Sequence, residues 1–364
     1  MKKHNPVLIS LIAVFLGLLI ACIVLAVSGL NPANLFIALI RSLSGFYLLK
    51  PEQGINISYP LNWLLNSLPI ILTGCSVGFA YRTGMFNIGG EGQFLVGGLA
   101  AATVATLVKL PPVVHVIVCV LAAGIAGALW GFLPGFLKAT RNINEVVICV
   151  MLNYTALYLN QWAIKAFLPI DLNTKAKTTL FPDSATFFPL NFGSTSQFHW
   201  GFVIVIAALL VYWFIMEKTT FGYSLRATGL NKEGARYAGM KTKFNCTASM
   251  MIAGAFSGLA GAIVTIGVFK YGRIATAFDG YGFDGISVAL VGSGRAVGIL
   301  LAGLLFGLLK AAGTTFQMLG IPKEVASIIQ ACVLIFVAIQ HGIKMLLDFL
   351  SKRKEKKLDG SHSS

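Results

Sequence analysis

Val113-Val114-His115-Val116-Ile117-Val118-Cys119-Val120-Leu121-Ala122-Ala123-Gly124-Ile125-Ala126-Gly127-Ala128-Leu129-Trp130-Gly131-Phe132-Leu133-Pro134-Gly135-Phe136-Leu137 runs for 25 residues without an Asp, Glu, Lys or Arg. Wound as a helix it is ~37 Å long, enough to cross a hydrocarbon core of ~30 Å. The rest of the chain shares this character: of 364 residues, 56% are hydrophobic and 11% charged, and the mean hydropathy is +0.80. Soluble domains carry about 25% charge, and a soluble fold of this composition would leave large apolar areas in water. The 39 glycines have no fixed period, and no heptad is sustained. Collagen, coiled coil and disorder are therefore excluded. The expected fold is all-α, a polytopic membrane helix bundle.

Ten segments satisfy the length requirement loosely: 7–30, 61–81, 85–108, 113–137, 143–168, 200–216, 246–269, 283–293, 296–319 and 325–343. The eighth is short or discontinuous, and 36–49 is a further apolar piece suited to a membrane surface. The first is longer than a signal-peptide core, which favours an uncleaved helix. Residues 1–6 form a tail, 7–343 a single transmembrane domain and 344–364 a basic tail. With both termini inside, the inner segments hold eighteen of the 28 Lys and Arg and the outer ones nine, as the positive-inside rule requires. The net charge of +15 is read as topology, not as a nucleic-acid surface, because the basic residues lie in short stretches between apolar runs. Two connections are long. The outer one, 169–199, looks like a cap; the inner one, 217–245, holds six Lys or Arg and two Glu. That inner loop exceeds what neighbouring helices need, and it suits a docking partner or anionic lipid.

No catalytic constellation is present. The five histidines do not form H-E-x-x-H, no G-x-S-x-G occurs, and in Gly234 to Thr242 Met240 separates Gly239 from Lys241, so a phosphate cradle is out of register. The six cysteines lie in or beside apolar stretches without paired spacing and read as small buried side chains. Gly127, Gly131 and Gly135 recur every four residues, as do Gly254 with Gly258 and Gly303 with Gly307. Such stripes let two helix backbones approach closely.

Polar groups at membrane depth are costly and often mark a functional path. Phe86-Asn87-Ile88-Gly89-Gly90-Glu91-Gly92-Gln93 is one cluster, with Asn87 and Glu91 on one face if the stretch is helical. Asn144-Glu145, continuing to Asn153-Tyr154, is another. Each serves either helix capping and interhelical hydrogen bonding, or transport and gating. Lys310, the one basic residue deep in an apolar segment, pairs with a carboxylate or snorkels.

Four stretches together carry a resemblance. They are Phe86 to Gln93; Asn144-Glu145-Val146 with Leu152-Asn153-Tyr154; Leu225-Arg226-Ala227-Thr228-Gly229-Leu230-Asn231-Lys232-Glu233-Gly234-Ala235-Arg236-Tyr237-Ala238-Gly239-Met240; and Gly282-Phe283-Asp284-Gly285-Ile286-Ser287-Val288-Ala289-Leu290. In this order they resemble the permease subunits of bacterial ABC importers of the branched-chain amino acid, ribose and nucleoside group. The nucleoside permeases that work with basic-membrane-protein-type lipoproteins are most similar.

The resemblance implies a non-enzymatic permease in the bacterial plasma membrane that binds no cofactor and no nucleic acid and is surrounded by membrane lipid. Its partners would be a second permease chain, ABC ATPase subunits that use ATP, and an external substrate-binding lipoprotein. It implies a substrate path in which Phe86 or Tyr154 stack on nucleobases while Asn87, Glu91, Gln93, Asn144 and Asn153, with Glu145, offer polar contacts. It also implies ATPase coupling through Arg226, Lys232, Glu233, Ala235, Arg236 and Gly239, where Glu233-Gly234-Ala235 followed by Gly239 matches the family's inner-loop signature apart from Gly234. A glycine there lowers helix propensity by ~1 kcal/mol. The alternatives are a permease for a simple sugar and an ion-gradient-driven transporter using Glu91, Glu145 and Lys310; the long inner loop argues against the latter.

Overall fold

The computed structural model describes residues 6–49, 52, 54–173, 176–190, 192 and 197–338. The tail beyond residue 338, residues 1–5 and parts of the 169–199 loop lie outside the described residues. Thirteen helices follow one another among those described: α1 (Pro6–Val27), α2 (Ala33–Ser44), α3 (Ser58–Arg82), α4 (Gly90–Leu107), α5 (Val114–Arg141), α6 (Glu145–Phe167), α7 (Gly201–Lys218), α8 (Thr220–Leu230), α9 (Lys232–Tyr237), α10 (Thr242–Ala262), α11 (Tyr281–Val291), α12 (Ala296–Met318) and α13 (Lys323–Ala338). A π-helical stretch, Ile263–Phe269, prolongs α10. Among the described residues the only β pairings are isolated bridges.

The predicted segments overlie helices, the last of them, 325–343, only as far as residue 338, its remainder lying outside the described residues. Six have the length and apolarity for a full crossing: α3, α5, α6, α7, α10 with its π-helical end, and α12. The piece at 36–49 instead forms most of α2, which is amphipathic and lays Leu35, Ala38 and Ser42 against the neighbouring helices.

α3 is the axis of the bundle, with 83% of its most apolar window enclosed. Against it stand α10, α11 and α12, with α7 on a further side; α4, α5 and α6 lie beyond α10, and α1 and α13 pair at the outer edge. The predicted glycine stripes are where backbones meet. A methyl placed on Gly127 would come within 2.2 Å of the Gly254 carbonyl oxygen, one on Gly131 within 2.3 Å of that of Met250, and one on Gly258 within 2.2 Å of that of Ala123. Only glycine allows α5 and α10 this approach. Gly303 and Gly307 play the same part for α12 against Ile71 and Ser67 of α3.

The two ends of the bundle differ. At one, the described parts of the 169–199 loop form a lid in which Phe181, Phe187 and Phe198 are buried. Its backbone is stitched to the segment after α10 by Thr178 N to Gly272 O at 2.8 Å and Phe181 N to Lys270 O at 2.9 Å. At the other lie α8, α9 and the basic ends of α3, α5 and α7.

Candidate functional site

α11 has 11 residues, so it is ~16 Å long, about half a bilayer core. Its first N–H groups thus open inside the bundle, where no bulk water satisfies them. Glu91, in the first turn of α4 and fully buried, fills that need: one carboxylate oxygen accepts from Gly280 N at 2.8 Å and the other from Gly282 N at 2.6 Å. The negative charge also sits at two helix N-termini, where the dipoles favour it. Asp284 in the first turn of α11 receives Lys310 Nζ at 2.9 Å, and the ammonium lies 3.6 Å from the centroid of Tyr281. Lys310 therefore pairs.

Asn87 is not on a helical face with Glu91. Residues 86–88 have no helical hydrogen bonding, because the glycines delay the start of α4 until Gly90. Asn87 instead folds back, donating to Ser76 Oγ at 2.9 Å and to Gln93 Oε1 at 2.8 Å while its own oxygen accepts from Gly89 N at 3.1 Å. Asn153 of α6 joins the other side of the same link. Its oxygen accepts from Gly92 N at 2.8 Å and its amide donates to Ile88 O at 3.0 Å. The structure thus gathers Asn87, Glu91, Gln93 and Asn153 into a buried frame around residues 87–93, with Phe86 half-buried beside it.

Asn144, Glu145 and Tyr154 lie apart from that frame. Asn144 caps α6 through Val146 N at 2.9 Å, and Glu145 pairs with Lys138 at 2.9 Å. Tyr154 is half exposed and meets Phe278 edge-on at 5.2 Å. It begins an uncovered aromatic ladder on α6, continued by Tyr158 and Trp162 at 64% and 57% exposure. Sequence reading missed Tyr158 and Trp162, although their spacing of four residues was the available signal.

At the basic end, α9 forms despite Gly234 because Asn231 caps it, its side chain accepting from Gly234 N at 2.9 Å. Gly239, at φ +80°, stops it, with Met240 N returning to Ala235 O at 3.0 Å. Ala235 is buried, while Glu233, Arg236, Tyr237 and the preceding Leu230 stand in the open, Tyr237 at 92% and Leu230 at 89%. Lys232 is half-buried. The guanidinium of Arg226, on α8, is held by Glu217 of the same chain at 3.0 Å.

A half-length helix whose start is held by a buried carboxylate, within a bundle of long apolar helices that extends one short helix from its basic end, marks a multi-pass membrane protein. Residues 59–338 match the family described as branched-chain amino acid transport system / permease component, and the chain belongs to that family. Among its relatives, the guanosine ABC transporter permease protein NupP of Bacillus subtilis is 38% identical over 97% of this chain and 99% of its own length. The nucleoside ABC transporter permease protein NupB of Lactococcus lactis is 31% identical over 95% and 94%. A glucose ABC transporter permease protein of Haloferax volcanii is 34% identical over 77% and 76%. The chain is accordingly a permease subunit of an ABC transporter and not itself an enzyme; the family implies association with a separate ATPase and a substrate-binding protein.

Proposed function

We propose that this chain carries nucleosides across the bacterial plasma membrane as half of the translocation path of an ATP-driven importer. The observation that carries the reading is the near full-length likeness to a guanosine permease and a nucleoside permease. Both termini and the α8–α9 end face the cytoplasm, in keeping with the basic residues gathered there. α9 seats in the ATPase subunit, with Leu230 and Tyr237 as its apolar contacts and Lys232, Glu233 and Arg236 around them. The second permease chain closes the path against α6. There Tyr154, Tyr158 and Trp162 offer faces to a nucleobase, and phenolic and Thr155 hydroxyls meet the ribose. The frame of Asn87, Glu91, Gln93 and Asn153 forms the wall behind α6, with Phe86 at its edge, and Asn144 and Glu145 lie where the path reaches the cytoplasm. The chain binds no cofactor of its own; ATP is used by the partner. An external lipoprotein delivers the substrate over the 169–199 lid.

A sugar is the second reading, favoured by the likeness to a glucose permease, since aromatic faces also stack on pyranose rings. The test is uptake of radiolabelled guanosine, uridine and glucose by cells expressing the chain with and without its ATPase. ATPase-dependent nucleoside uptake is expected, and Gly239→Arg, which obstructs the end of α9, abolishes it. Glucose uptake alone would establish the second reading. Uptake without the ATPase, collapsed by an ion-gradient uncoupler, would refute both.

A further inference from the structure

α8 is fastened to the bundle on three sides, whereas α9 beyond it is nearly free. Glu217, at the end of α7, takes Arg82 from the end of α3 on one carboxylate oxygen and Arg226 of α8 on the other at 3.0 Å. Gly229 of α8 packs so closely on the turn after α3 that an added methyl would lie 2.4 Å from the Arg82 carbonyl oxygen. On the opposite side stands Asn245, in the first turn of α10 and 2% exposed. Its amide nitrogen reaches Ser224 Oγ at 2.7 Å, Thr228 Oγ1 at 2.9 Å and Ser224 O at 3.3 Å. Ser249, one turn further along α10, joins Thr83 at 3.0 Å. The end of α3, all of α8 and the start of α10 therefore form one braced unit.

We propose that Asn245 is a positioning residue for energy coupling: it locks α8 to α10, so that displacement of α9 moves the starts and ends of three helices together. The inference rests on the reading of α9 as the element that the ATPase moves. Its physical basis is donor chemistry. A buried amide donates to these oxygens, whereas an aspartate of the same shape only accepts: it sets a charge against the Ser224 carbonyl and is satisfied by the hydroxyls only if Thr228 gives up its own bond to Ser224 O at 2.8 Å. Without the lock, α9 and α8 would yield locally, and motion would not reach α10. The short helix α11 and Glu91 stand at the far side of that brace, since α3 packs along α11 and α10 packs along α4.

The test uses the complete importer, with ATPase and binding protein, in proteoliposomes. Asn245→Asp is expected to lower nucleoside carried per ATP hydrolysed about tenfold, with the KM for nucleoside unchanged and the subunits recovered together. The double variant Ser224→Ala, Thr228→Ala removes two acceptors without adding a charge and is expected to act in the same direction. Combined with Asn245→Ala, it is expected to be non-additive. An unchanged ratio, or transport and hydrolysis falling in step, would overturn the proposal. If Asn245→Asp prevents assembly, the hydroxyl double variant decides in the same way. ATP-dependent uptake by the unaltered importer with an unchanged ratio in the variants sinks this proposal alone; uptake that ignores the ATPase sinks the reading beneath it.

Discussion

Glu91 shows what a single side chain does when a helix ends inside an apolar bundle. Both of its oxygens are occupied by backbone N–H groups 189 and 191 positions further along the chain. Glu91→Gln turns one acceptor into an amide donor facing another donor. The expected cost is about 2–3 kcal/mol, seen as a lower melting temperature of the detergent-purified complex, and Glu91→Ala costs more. If the carboxylate contacted nucleoside instead, Glu91→Gln would raise the KM and leave the melting temperature where it was. That Glu91 deserved notice was legible from its polarity at depth. Its partners were not, because a pairing across about 190 residues leaves no local trace, and the Lys310–Asp284 pair, 26 residues apart and on different helices, leaves none either.

At the scale of elements, the helices and their glycine stripes were legible because hydropathy and a four-residue spacing are local properties. Close backbone approach at those stripes followed from them, but not that α5 would meet α10. The start of α4 was not legible, since hydropathy averaged over 85–108 marks one apolar segment while its first residues are tied by Asn87 side-chain bonds in place of helical ones. The lid carries its own prediction. His199 is buried, stacks on Phe187 at 4.9 Å and accepts from Gly201 N at 3.0 Å. Burial, with Lys270 nearby, pushes its pKa down to about 4. An undocked lid would bind a proton near the ordinary value of ~6.5. The docked state is therefore fully favoured above ~6.5 and loses up to about 3 kcal/mol as pH falls toward 4. Proteolysis of the 169–199 segment in membrane vesicles is expected to quicken over that interval, and His199→Phe to remove the pH dependence.

For the whole molecule, composition alone settled the membrane class, and four short motifs pointed to the permease family. The choice among nucleosides and sugars was not legible. It depends on how exposed aromatics of α6 meet a second chain, and such surfaces are shaped by a partner that the sequence does not contain. The two halves of the chain are also unequal in self-sufficiency. Residues 1–218 supply the axis helix and the carboxylate, while 219–364 contain the helix that needs them. Expressed separately, the first half is expected to persist in the membrane and the second to be degraded unless the first is supplied beside it, as immunoblotting of the two fragments would show.

That asymmetry follows from the half-length of α11, and it bears on how the protein is made. A translocon releases spans that lipid accepts, and an 11-residue segment with open amides is a poor candidate for release on its own. By the time the ribosome reaches Gly280, Glu91 has long been in place on α4, and so has the flank of α3 against which α11 packs. The early helices thus act as a template on which the late one is received, and the order of synthesis runs from socket to plug.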